Sequence, residues 1–200
     1  VAWARNVGAT VFMLAAFLPR HGLRLLRPSR PWGQLMRAGF LLGSTVLYFS
    51  GLSHFDMATG AAIQLTTPLM VTALSGPLLG ERVGWRRWLA VGVGFAGALI
   101  VIRPGVDMRW PVLFFVASAL CSTFYQISTR FLASYDSPAT GSTVAAAVGA
   151  IALTPVAPLV WSDPSGWLTI ALFCGIGSVA AGGHFLLMSA YRYGEAATLA

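Results

Sequence analysis

The sequence predicts an all-α fold, a polytopic bundle of transmembrane helices, and three observations predict it. Of its 200 residues 56% are hydrophobic and only 10% charged, whereas an ordinary soluble domain is about a quarter charged. Apolar residues gather into seven stretches, about 3–18, 35–52, 56–79, 85–102, 110–131, 137–160 and 167–190. Most of these approach the roughly 20 residues a helix needs to cross a bilayer core. All six carboxylates (Asp56, Glu81, Asp107, Asp136, Asp163, Glu195) fall at or near breaks between the stretches. Backbone polar groups in lipid must be satisfied within the segment, so the stretches are read as helices. Their length and their Gly and Ala content argue against buried strands.

The first stretch is short, as expected of a fragment that begins inside a helix, and the chain starts at Val1 rather than methionine. Arg5 lies at its start. The second carries Ser44 and Tyr48 one turn apart. The third holds Gln64, Thr66, Thr67 and Pro68 at its middle, where proline removes a helix hydrogen bond and bends the segment. Pro77, near the end of that stretch, is read as structural. The fourth places Ala90, Gly94 and Ala98 at the spacing that lets helices approach closely in lipid. The fifth ends in a polar patch of Tyr125, Gln126 and Thr129, with Tyr125 and Thr129 on one face. The sixth spans 137–160. The seventh repeats the small-residue spacing at Gly177/Ala181 and Ser178/Gly182, then places His184 deep in apolar surroundings. An eighth stretch begins at Glu195.

The basic residues are all arginine, and they alternate between connections. Arg20, Arg24, Arg27, Arg30 and Arg37 crowd the first connection and its edges, and Arg82, Arg86, Arg87, Arg130 and Arg192 occupy alternate later ones. That puts ten on one side against three (Arg5, Arg103, Arg109) on the other. The excess marks the cytoplasmic side, so the chain is expected to begin outside. A formal charge of +7 does not indicate nucleic acid, because such binding needs basic residues on one contiguous face. Glu81 is expected to pair with Arg86 or Arg87. His21 and His54 sit in connections and are expected to be solvated. Cys121 and Cys174 fall inside apolar stretches and read as small packing residues.

GVGFAG at 92–97 fits the spacing of a dinucleotide loop. It lies inside an apolar helix, without the preceding strand or later acidic residue such a site requires, so it is read as a packing face. An intramembrane enzyme would need paired carboxylates, a metal-binding cluster or a nucleophile–base pair within the helices. No stretch carries a carboxylate at its centre, and Ser178 and His184 are nearly two turns apart.

A faint internal repeat is also visible. GLSHFDMATGAA (51–62) aligns with SAYRYGEAATLA (189–200) at an offset of 189 − 51 = 138. Leu18-Pro19 and Thr154-Pro155 are related by a similar offset, 154 − 18 = 136. The related elements are five helices apart. An odd number inverts the second copy in the membrane, a plan common among secondary transporters.

The run AAIQLTTPLMVTALSGPLLGERVGWRRWLAVGVGFAGALIVIRPG (61–105) resembles the EamA family of the drug/metabolite transporter superfamily. The resemblance rests on Pro68, Gly80-Glu81, Trp85-Arg86-Arg87, Gly92/Gly94/Gly97 and Arg103-Pro104-Gly105, with GHFLLMSAYRYGEAATLA (183–200) similar to the matching part of a second repeat. It implies two inverted five-helix repeats, here 1–105 lacking its first helix and 106–200 truncated at its C-terminus. It further implies a multi-pass protein of the bacterial inner membrane that moves a small metabolite by alternating access, coupled to an ion gradient or to exchange. The second-repeat motif is similar to carriers of cofactors and metabolites.

Broken helices near the membrane midplane are where transporters hold substrate, and intramembrane ionisable groups are functional candidates. The expected substrate-binding or translocation residues are therefore Tyr48, Gln64, Thr67, Pro68, Tyr125, Gln126 and His184, with Arg5 placed to meet an anionic substrate or to snorkel. For Gln64, Thr67 and Pro68 the competing role is a structural kink with the threonines bonding back to their own helix; for Tyr48, Tyr125, Gln126 and His184 it is a hydrogen bond between helices. Expected partners are a small-molecule metabolite and the lipid bilayer, with a homodimer as an assembly to test. No cofactor, metal or nucleic acid is expected. The rival function is a non-transporting membrane scaffold or sensor.

Overall fold

The computed structural model describes residues 2–81, 84–102, 110–160 and 166–194. Within them the chain forms eight α-helices: α1 (Ala2–His21), α2 (Pro31–Leu52), α3 (Met57–Gln64), α4 (Thr67–Leu79), α5 (Trp85–Ile102), α6 (Val112–Leu132), α7 (Pro138–Leu153) and α8 (Trp167–Ala190). Short 3-10 turns follow α1 (Gly22–Leu26) and α7 (Ala157–Val160). There is no strand among the described residues. Among the described residues four segments are long and apolar enough to cross a membrane: Pro31–Leu52, Met57–Leu79, Val112–Leu132 and Thr169–Ala190. The protein is an all-α, multi-pass membrane protein. Arg82, Arg109, the Arg103-Pro104-Gly105 motif, residues 161–165 of the arginine-free connection and the stretch opening at Glu195 lie outside the described residues.

Helix boundaries follow local chemistry. Asp56 caps α3, accepting from the backbone N–H and the hydroxyl of Thr59, which satisfies a donor the helix start leaves open. Ser137 does the same for α7, accepting from Thr140 N–H at 3.1 Å, and Pro138 opens the helix behind it. Gly80 ends α4 in the left-handed conformation (φ 71°), its N–H bonded to the Gly76 carbonyl at 2.9 Å. The apolar stretch 137–160 is not one helix. α7 stops at Leu153 because Pro155 has no N–H with which to continue the ladder. Thr154 itself stays in the right-handed helical region (φ −57°, ψ −42°), its N–H reaching the Ala150 and Ile151 carbonyls, and the chain continues as a turn and the short 3-10 segment.

The chain divides into two compact units, Val1–Gly39 with Leu132–Arg192, and Phe40–Phe131 with Tyr193–Ala200. In the first unit α1 packs against both α7 and α8. Its core is Ala9, Met13, Ala146 and Ala181, flanked by Phe17 and Phe185. Backbone meets backbone at Gly177, where a Cβ would stand 2.7 Å from the Arg5 carbonyl oxygen and 2.9 Å from the Ala9 nitrogen. Gly149 likewise lies against Asn6, whose Oδ1 would be 2.6 Å from a Cβ there. The Gly177/Ala181 spacing is thus a helix contact. At Gly182 nothing lies within 4 Å of a Cβ.

In the second unit Ile63, Val112, Phe115 and Ala119 form the core, with Tyr48, Leu52, Phe55, Met70 and Val116 around them. Phe115 is fully buried and fills a hollow left by two glycines. A Cβ at Gly51 or Gly60 would come within 2.7 or 2.8 Å of its ring. The glycine-rich face of α5 is used only in part. Gly94 meets the side chain of Leu69, while Gly92 and Gly97 have nothing within 4 Å. Val93, Ile100, Ile151, Val179 and Leu186 are between 66% and 77% exposed, a surface suited to hydrocarbon rather than water.

Two outcomes test these assignments. Gly177→Leu, forced into backbone, lowers stability by about 1–3 kcal/mol, whereas Gly182→Ala leaves it within about 0.5 kcal/mol. Thermal unfolding in detergent reads both. The bonds from Thr59, its hydroxyl first, hold the Asp56 carboxyl below its usual range. The cap is therefore intact above the ordinary carboxylate value and is lost only as pH falls through the lowered one. Amide exchange at Thr59 should stay slow to more acid pH than at an uncapped start, and Asp56→Ala should abolish that protection.

Candidate functional site

The apolar span Met57–Leu79 breaks at its middle. Leu65 and Thr66 leave the helix between α3 and α4, and Pro68 occupies the first turn of α4. Proline cannot donate to the carbonyl four residues back, so that turn of helix is lost in a place where no water can replace it. Local groups take over. Thr66 donates to the Ile63 carbonyl through both its N–H (2.9 Å) and its hydroxyl (2.6 Å).

Gln64, the last residue of α3, turns its side chain into a polar network. Its Nε2 lies 3.3 Å from Ser122 Oγ and 3.5 Å from Ser118 Oγ, and its Oε1 accepts from Thr67 Oγ1 at 3.4 Å. Ser44 completes the set, 2.6 Å from Ser122 Oγ and 3.2 Å from Ser118 Oγ. Ser118 Oγ also donates to the Ser44 carbonyl at 2.8 Å. Three elements thus meet through neutral hydroxyls and one amide: α2 by Ser44, the α3–α4 break by Gln64 and Thr67, and α6 by Ser118 and Ser122. Ser44 and Ser118 are buried, Gln64 half-buried. Such a network can donate to or accept from a polar solute without changing charge.

Of the residues expected from sequence, Tyr48, Gln64, Thr67, Pro68, Tyr125 and Gln126 all belong to this second unit. Gln64 and Thr67 are in the network itself. Tyr48 is one turn beyond Ser44, its ring edge-on to Phe115 at 5.4 Å between centroids. Tyr125 is buried and Gln126 half-buried on α6, where Tyr125 lies about one turn past Ser122. Ser118 and Ser122 were not anticipated. Their four-residue spacing was a visible signal, but serines in apolar helices commonly bond back to their own backbone, and only the neighbouring helices show otherwise. Glu81 pairs with Arg130, Nε to Oε1 at 3.4 Å, which joins the end of α4 to the end of α6; Arg130 was not among its expected partners.

Arg5 and His184 belong to the first unit, and both are half-buried. His184 lies within electrostatic range of Arg5 and of Arg37. Arg37 requires a correction. It was grouped with the arginines of the first connection, but α2 begins at Pro31 and carries Arg37 into the protein, 2% exposed. Its guanidinium donates to the Gly141 carbonyl at 2.6 Å and reaches Met188 Sδ at 3.1 Å. A Cβ at Gly141 would stand 3.1 Å from a guanidinium nitrogen, so the missing side chain makes room for Arg37. One turn earlier, Gln34 donates to Asp136 Oδ2 at 2.7 Å, and Ser29 N–H donates to Asp136 Oδ1 at 2.7 Å.

Comparison with known proteins bears on these features. Residues 1–103 match the EamA-like transporter family. The chain is 28% identical over 201 residues to an S-adenosylmethionine uptake transporter of Rickettsia felis, covering 100% of this chain and 68% of the relative. It is 32% identical over 187 residues to a riboflavin transporter of Rhizobium johnstonii, covering 90% and 60% respectively. It is 28% identical over 184 residues to the aromatic amino acid exporter YddG of Ancylobacter novellus, covering 87% and 63%.

The burial of Arg37 yields a stability prediction. Arg37→Ala removes the bond to the Gly141 carbonyl and opens a void, at a cost of about 2–4 kcal/mol. Arg37→Met, which keeps most of the volume, loses less, and the exposed Arg20→Ala loses about 0.5 kcal/mol or less. Thermal midpoints of the three purified variants give the order.

Proposed function

The chain belongs to the EamA-like transporter family, a family of transporters rather than enzymes, and on that premise we propose that it moves a small metabolite across the bacterial inner membrane by alternating access. The transport is secondary, coupled to an ion gradient or to exchange, and the two halves of the mechanism are inverted repeats, 1–105 and 106–200. The observation that carries this reading is the break between α3 and α4. A span that gives up helix hydrogen bonds inside lipid and surrounds the gap with Gln64, Thr67, Ser44, Ser118 and Ser122 keeps polar groups where only a solute or a neighbouring helix can use them.

We assign substrate binding or translocation to Tyr48, Gln64, Thr67, Pro68, Tyr125 and Gln126 in the second unit, and to Arg5 and His184 in the first. The named substrates of the relatives, S-adenosylmethionine and riboflavin, are polar heteroaromatic molecules. Their ring nitrogens and hydroxyls are the kind of group that an amide and a set of serines recognise, and the Tyr48 ring offers a surface for stacking. The substrate class proposed is a heteroaromatic metabolite of this kind.

Uptake and efflux in proteoliposomes test the reading, with a panel of heteroaromatic metabolites and aromatic amino acids, with and without a pH gradient. Saturable, gradient-sensitive flux of one solute class is expected. Gln64→Ala and His184→Ala should each cut that flux by about tenfold or more, at unchanged membrane expression, if each removes roughly 1.4 kcal/mol or more of differential binding. Normal flux in both variants removes this site assignment. No flux of any solute from folded, inserted protein favours a scaffold or sensor.

A further inference from the structure

The connection between α1 and α2 carries a feature that transport does not use. Immediately after α1 the chain turns through Gly22, which adopts a left-handed φ of 57°, into the 3-10 turn Gly22–Leu26. The turn leaves a recess of about 370 Å³ lined by His21, Gly22, Leu23 and Arg27. The His21 ring is fixed by a contact from Nδ1 to the Phe17 carbonyl at 3.2 Å and lies against the Phe17 ring. Arg27, and Arg20 next to His21 in the chain, are exposed and have no carboxylate partner among the described residues. Arg30, by contrast, is stacked over the Tyr135 ring at 3.9 Å. Water would not favour the apolar groups of this connection: Leu23, which lines the recess, is 70% exposed, and Trp32, at the start of α2, 82%.

Basic groups at a helix end, an apolar fringe and a tryptophan together describe the headgroup layer of a membrane, where Trp collects at the interface and arginines attract anionic lipid. We propose that this recess binds the phosphodiester headgroup of an anionic phospholipid, with Arg27 and Arg20 meeting the phosphate and Leu23 and Trp32 lying against the upper acyl chains. Charge complementarity selects the occupant, because unmatched guanidinium groups beside exposed apolar side chains suit an amphiphile with an anionic head. The connection is held for this role. Asp136 receives the Ser29 N–H and the Gln34 amide, which anchors the chain just beyond the recess. The inference does not depend on what the protein transports.

The test is thermal unfolding of the purified protein in a neutral detergent, titrated separately with phosphatidylglycerol, phosphatidylcholine and inorganic phosphate. Phosphatidylglycerol should raise the midpoint saturably and phosphatidylcholine should not. Arg27→Gln should weaken the apparent affinity for phosphatidylglycerol about fivefold, and the double variant Arg20→Gln/Arg27→Gln about thirtyfold. Arg192→Gln, which removes an exposed charge elsewhere in the same unit, should leave it unchanged. An equal response to phosphatidylcholine, an equal response to inorganic phosphate, or an equal loss in Arg192→Gln would each overturn the proposal. The lipid series on the unmutated protein stands alone if a variant does not fold.

Discussion

Lipid offers the backbone no hydrogen bonds, and the rest of this structure is arranged around that constraint. Where helices are continuous the requirement is met residue by residue. Where the span Met57–Leu79 is interrupted by Leu65, Thr66 and Pro68, it has to be met by side chains. Thr66 takes the Ile63 carbonyl, and Gln64 reaches across to serines on α6. A single proline thereby dictates the polarity of its surroundings. Hydroxyls on α2 and α6, costly if left alone in an apolar medium, become useful to one another and to the broken span.

Close packing follows from the same solvent. Without a hydrophobic drive between helices, association rests on contact area and on the few polar bonds that cross between them. In the first unit α8 comes down onto the α1 backbone at Gly177, and α7 receives Asn6 at Gly149. In the second, Gly51 and Gly60 leave a hollow that the Phe115 ring fills completely. Absent side chains act here as shape. Other helical glycines meet nothing within 4 Å, among them Gly39, Gly92, Gly97, Gly175, Gly182 and Gly183.

Charge is handled in two ways. At the connections arginines stay in water, stack on an aromatic ring as Arg30 does, or pair as Arg130 does with Glu81. Arg37 is carried inside, where a carbonyl and a thioether meet it. A delocalised guanidinium tolerates such partners better than a compact ammonium does, in keeping with a chain whose basic residues are all arginine. Within the first unit His184 lies within electrostatic range of Arg5 and Arg37, in contrast to the neutral hydroxyl network of the second.

Composition and hydropathy by themselves determined that the chain is helical and lies in a membrane, and six of the seven apolar stretches became single helices or, at Pro68, a broken one. Those features are local: run length, the place of prolines and the absence of carboxylates decide them. The sixth stretch was misjudged for a local reason as well, since Pro155 outweighs the hydropathy around it. Gln64, Thr67 and Pro68 were legible as a site because a polar run inside a long apolar one is visible in one dimension. What only the tertiary structure decided is which groups meet. Ser118 and Ser122 join Gln64, Arg130 reaches Glu81 from another helix, and Arg37 is buried against α7 and α8. Each depends on how one helix is rotated and set against the next. That is fixed by side chains far apart in the chain, such as Phe115 against Gly51 and Gly60, or Gly177 against Ala9, and no periodicity within a single helix reports it.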